Sequence, residues 1–132
     1  APESLLVIDE RVTEADLYLA ATSSAAVILP HRKISQSGVL LSVLGLGIPV
    51  VVSPLAGLRE PLETAPVGWV FDGTQEGLVR QLGLLIDDPA MLAKVKNDRS
   101  AWAAIEQAYD WTTIAAEGLA FYEEMLAQPT RR

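Results

Sequence analysis

The sequence predicts an α/β domain, with a parallel sheet carrying helices on both faces and further helices at its C-terminal end. Three observations predict it. Short aliphatic runs alternate with helix-length segments, the order that builds parallel strands joined by crossover helices. One run, Ile48-Pro49-Val50-Val51-Val52-Ser53, is continuously apolar and rich in β-branched residues, as a strand covered on both faces must be. Beyond residue 74 the pattern is helical throughout.

The elements follow in order. Leu5 to Ile8 is a short aliphatic run between Pro2 and the acidic Asp9-Glu10, and reads as a buried strand. Thr13 is placed to cap a helix reaching about Ser23, with Glu14 and Asp16 in its first turn, where the positive end of the helix dipole favours carboxylates. Ala25 to Leu29 is a second strand, stopped by Pro30. The polar loop His31 to Gly38 then opens into Val39 to Leu46, apolar nearly all round and so expected as a buried helix, with Gly47 as its stop. After the Ile48–Ser53 strand come a loop from Pro54 to Glu60 and one helical turn. Val67 to Phe71 is the last strand, closed by an Asp72-Gly73 turn. Thr74 caps a helix to about Ile86, Asp88-Pro89 begins another reaching Tyr109, and Asp110 or Thr112 caps an amphipathic helix to Ala127, with Pro129 to Arg132 as a frayed tail.

Composition narrows the function. The chain has 132 residues, enough for one domain and too few for two, and with 50% apolar and 20% charged residues it has the balance of a globular protein. A net charge of -7 repels nucleic acid and anionic membranes, so no nucleic-acid partner is expected, although a local basic patch can still hold a phosphate. The absence of cysteine removes disulfides, thiolate zinc sites and cysteine nucleophiles, and a single histidine excludes a His-rich metal centre, so no metal is expected. The apolar stretch from Val39 to Val52 is broken by Ser42, by glycines and by Pro49, and does not read as a membrane span.

In open α/β sheets ligands sit beyond the carboxyl ends of the strands. Two loops lie there. In the first, Ser35-Gln36-Ser37-Gly38 delivers the chain to a helix N-terminus, where free N–H groups and the dipole suit a phosphate. Gly38 permits close approach, Ser35 or Ser37 offers a hydroxyl, and Arg32 and Lys33 can neutralise a diphosphate; the plainer alternative makes the serines simple caps and the cations solvated. The second loop, Ala56 to Glu60, sets a glycine and a carboxylate at the same edge, with an exposed turn as its alternative. His31 is the one imidazole, and Asp9, Glu10 and Glu63 are not spaced for acid–base work; no nucleophile elbow, Walker loop or GxGxxG is present. Trp69, Trp102 and Trp111 read as packing anchors.

From Ala15 onward the order of motifs resembles the donor-binding, Rossmann-like domain of GT-B-fold glycosyltransferases of the retaining type (glycosyl transferases group 1). The match is carried by Ala15-Asp16-Leu17 with Ile28-Leu29-Pro30, by Gly45 through Ser53, by Gly57-Leu58-Arg59-Glu60, by Gly68-Trp69-Val70-Phe71, by Leu85 through Pro89, and by Tyr109-Asp110-Trp111 with Tyr122. The resemblance implies that a nucleotide-diphosphate sugar is the co-substrate and that no further cofactor is used. It implies that the parent protein transfers a sugar to an acceptor, as a hexosyltransferase of glycan biosynthesis. Phosphate contact passes by the resemblance to Ser37 and Gly38, with Arg32, Lys33, Ser35 and Gln36 around them, and donor contact to Gly57, Leu58 and Glu60. Many members carry two glutamates eight positions apart; those positions are Ile34 and Ser42 here, so no glutamate role passes over and no catalytic residue is assigned.

The resemblance further implies that the 132 residues are a single, incomplete C-terminal domain lacking its first strands, and inactive alone. The expected partner is the N-terminal domain of the same protein or a swapped neighbouring chain. The expected location is the cytoplasm, with the absent domain able to rest on the inner membrane. A non-catalytic interaction domain and a sugar-nucleotide epimerase of the same fold are the two alternatives. A tryptophan at Ser37 is expected to block diphosphate binding and leave the fold in place.

Overall fold

The computed structural model describes residues 6–127. Along them run α1 (Glu14–Thr22), β1 (Val27–Leu29), α2 (Gly38–Gly45), β2 (Val50–Val52), α3 (Ala56–Thr64), β3 (Gly68–Val70), α4 (Gln75–Asp87), α5 (Pro89–Lys96), α6 (Arg99–Tyr109) and α7 (Trp111–Ala127). Most helix starts are set by a side chain accepting an otherwise orphaned backbone N–H. Thr13 and Asp16 form a reciprocal capping box on α1, and Thr74 accepts from Gly77 N–H at 2.9 Å to start α4. Asp98 caps α6 through Ala101 N–H at 3.0 Å, and Asp110 takes Thr112 N–H at 2.9 Å at the head of α7. Gly47, at φ 69°, lets the chain turn out of α2 through the left-handed region that a side chain disfavours.

The strands form a 3-stranded parallel sheet in the order β1-β2-β3. In register, Ile28, Val51 and Trp69 share one row, flanked by rows through Val50 and Val52. Alternation sends Val50 and Val52 into the larger core, with Leu40, Val43 and Leu44 of α2, Leu58 of α3 and Ala101 and Ile105 of α6. Val51 faces the opposite way, onto Phe71 and Leu85, with Trp69, Leu78, Leu82, Met91 and Leu92 against them. The protein is therefore an α/β fold with helices on both sheet faces and helices at its C-terminal end. Val50, Val51 and Val52 are wholly buried, which is why that run had to be β-branched and uninterrupted by polar residues.

Several sequence expectations are corrected. Leu5 lies outside the described residues; Leu6, Val7 and Ile8 form no strand and are exposed, because no strand among the described residues offers them backbone partners. The single turn expected after Pro54 is a nine-residue helix, α3, which tolerates Pro61 within it because buried Leu58 and Pro61 hold it on the sheet. The helix expected from Pro89 to Tyr109 is two, since Asn97 ends α5 and Asp98 caps α6. Helix α2 is buried on one face only, with Val39 and Leu41 exposed on the other. Trp69 and Trp102 do pack against the cores, and the Trp102 indole N–H donates to Val95 O at 3.0 Å, but Trp111 is 82% exposed. Helix α7, expected to be amphipathic, buries none of its residues. The tail expected from Pro129 lies outside the described residues. Among the described residues no helix is long and apolar enough to cross a membrane.

Candidate functional site

Because all strands run in parallel, the β1–α2 loop and the β2–α3 connection emerge at the same sheet edge. The residues from His31 to Gly38 and from Pro54 to Glu60, far apart in sequence, are thereby neighbours. Their contact is close. A β-carbon on Gly57 would overlap the Ser35 carbonyl oxygen and stand 2.8 Å from its carbonyl carbon, so only glycine lets the first turn of α3 meet the first loop. Ser53, at the end of β2 and 3% exposed, donates its hydroxyl to His31 O at 2.6 Å. Ile34 tucks against the larger core and anchors the middle of the loop.

At the loop's end Ser37 is buried and accepts Leu40 N–H at 3.1 Å, the capping role weighed against phosphate contact. Its hydroxyl proton remains available for donation. The N–H groups of Gly38 and Val39, in the first turn of α2, make no hydrogen bond among the described residues, as expected for helix positions without an intrahelical acceptor. Gly38 faces open space, since a β-carbon there would meet nothing within 4 Å. A groove of about 530 Å³ runs between α1 and α2, lined by Gly38, Val39, Leu46, Tyr18 and Glu14. Glu14 opposes an anion at that end, so any diphosphate there depends on added positive charge.

Arg32 and Lys33 are exposed and make no ion pair among the described residues, leaving both free to supply that charge. Ser35 and Gln36 are exposed in the same loop. Leu58 is placed differently from the expectation. It has no exposed surface and its N–H donates to Leu55 O at 2.9 Å, so it is a core residue with nothing left to offer a ligand. Arg59 is tied to Glu63 at 2.8 Å on the surface of α3. Glu60 is exposed one turn beyond Gly57, beside Tyr109 of α6.

Burial, then the nearby Glu60 carboxylate, push the Tyr109 phenol above its ordinary value, against a smaller opposing effect of the Thr64 hydroxyl. The folded state thus favours the neutral phenol. That stability is complete below the unfolded value near 10 and is lost as pH rises through the higher folded value. We expect urea stability to fall above about pH 10, and Tyr109→Phe to flatten the fall. An unchanged slope in that variant would place the titration elsewhere.

Sequence reasoning passed over Ser53 and Ile34. The signal for Ser53 was visible, as the one hydroxyl closing a run of buried valines, but its partner His31 lies on another strand's loop. Among the described residues no group of acidic or histidine side chains is placed to hold a metal ion. Compared with known proteins, the chain matches no protein-family model and no curated protein sequence.

Proposed function

We propose that this chain binds a nucleoside-diphosphate sugar as the donor-binding part of a glycosyltransferase. The observation that carries the reading is the meeting of two βα loops, Ser35 on Gly57, beside the unpaired N–H groups of Gly38 and Val39. This is the edge at which parallel sheets bind nucleotides. Gly38 and Val39 N–H and the Ser37 hydroxyl supply donors to the diphosphate, and Arg32 and Lys33 supply charge. Glu60 offers an acceptor for sugar or ribose hydroxyls. The chemical task is electrostatic: donors set before the reaction stabilise charge developing on the leaving diphosphate.

Further support comes from what is left uncovered. The outer edge of β1 has no partner strand among the described residues, Ile28 beside it is 39% exposed, and α7 exposes Trp111, Phe121, Tyr122, Met125 and Leu126. Open strand edges and apolar patches of this kind call for cover. On this reading the cover is the remainder of a longer transferase, which also supplies the acceptor site, and the chain is inactive without it. A non-catalytic interaction domain is the second reading. It is favoured by Ile34, packed toward the core, and Ser42, which together leave the edge without a carboxylate pair.

Calorimetric titration of UDP, GDP and their sugars into the full-length protein tests this. Micromolar binding of one of them, with sugar transfer to an acceptor, is the expected result. Binding of none sinks the transferase reading, and epimerisation without transfer favours an epimerase.

A further inference from the structure

We infer that Gly57 is a positioning residue, which holds the β1–α2 loop in its binding shape before any ligand arrives. The inference rests on the nucleotide-sugar reading for its consequence, and on the loop contacts for its substance. The loop is secured at its start, middle and end. Ser53 holds its start through the 2.6 Å bond to His31 O, Ile34 anchors its middle in the core, and Ser37 is fixed at its end by the 3.1 Å cap to Leu40 N–H. Gly57 supplies the lateral stop, because its bare Cα is what lets α3 lean on the Ser35 carbonyl. A methyl group on residue 57 must push that carbonyl away, and backbone cannot yield as a flexible side chain can. The displacement acts three and four residues before Gly38 and Val39, whose N–H directions are set by this segment. Gly57 therefore need not touch a ligand to govern its binding. The contact also joins the first turn of α3, with Glu60 one turn on, to the head of α2, so the two loops present one rigid cradle.

The test compares the wild-type full-length protein with Gly57→Ala, Ser53→Ala and Gly83→Ala. Gly83 is a helical glycine whose β-carbon would meet nothing within 4 Å, and serves as the control. Amide hydrogen exchange is read at Leu40 and Leu41, both bonded to Ser37, and at the buried β2 amides. Gly57→Ala is expected to speed exchange at Leu40 and Leu41 about tenfold, with the β2 amides unchanged. It is also expected to weaken UDP or GDP binding about tenfold, the equivalent of one well-aimed hydrogen bond. Ser53→Ala, which adds no atom, releases the same loop at its other end and gives the same pattern if Gly57→Ala does not fold. Gly83→Ala changes neither readout. Wild-type exchange at Leu40 and Leu41 in folded Gly57→Ala overturns the inference, as does faster exchange spread equally over β2. If the wild-type protein binds neither UDP nor GDP, the functional reading fails, and the exchange arm alone decides whether Gly57 holds the loop.

Discussion

Leu58→Ala is expected to destabilise the fold by about 2–5 kcal/mol, the range for emptying a well-packed leucine site. Leu58 is wholly buried among residues of the larger core, and α3 presents only Leu58 and Pro61 as its buried side chains. Losing that leucine leaves buried Pro61 and half-buried Leu62 to hold the helix on the sheet. Against a total stability of about 5–15 kcal/mol for a domain, the loss is large. Urea unfolding of the full-length protein checks it, with the midpoint falling and the slope retained. The prediction also decides what Leu58 is for. A cost below about 1 kcal/mol would return it to the surface, where a ligand could touch it.

Gly38→Trp is expected to weaken nucleoside diphosphate binding about a hundredfold or more, close to 2.7 kcal/mol, and to leave the fold intact. The sequence alone pointed to Ser37→Trp for this purpose. The structure makes that a poor choice, because Ser37 is 6% exposed and caps α2, so tryptophan there costs stability as well as binding. Gly38 has neither difficulty. It does not have a positive φ, and a side chain on it projects into open space. Gly38 is the first residue of α2 and not an interior one, so thermal stability should change little. The indole then occupies the space before the free N–H groups of Gly38 and Val39. Unchanged UDP and GDP affinity in a stable Gly38→Trp protein would remove the head of α2 as the binding site.

The parts of the fold legible in the sequence were those with local causes. Thr13 and Thr74 cap the helices they were expected to cap, and of the two candidates Asp110 and Thr112 it is Asp110 that caps α7, since an N-cap needs only its own hydroxyl or carboxylate and a backbone N–H within three residues. Likewise the Val50–Val52 strand announced itself by unbroken β-branched character. The errors arose where a partner elsewhere decides. Leu6, Val7 and Ile8 have strand composition but no strand beside them among the described residues, and Pro61 reads as a helix breaker until packing overrides it. Trp111 and α7 have the residues of a packed helix, yet none of them is buried among the described residues.

The candidate site divides the same way. The sequence by itself determined the α/β class, the polar Arg32–Gly38 loop ahead of an apolar helix, and the lack of cysteine or carboxylate pairs for other chemistry. It could not distinguish Gly57 as a contact from Leu58 as a core residue, because their neighbours come from different strands. Only the tertiary structure decided that Gly57 bears on Ser35, that Ser53 ties down His31, and that Ser37 is occupied as a cap while Gly38 stands open. The physical reason is range. Capping and periodicity act within a few residues, whereas the meeting of two loops at one sheet edge exists only after parallel strands are paired.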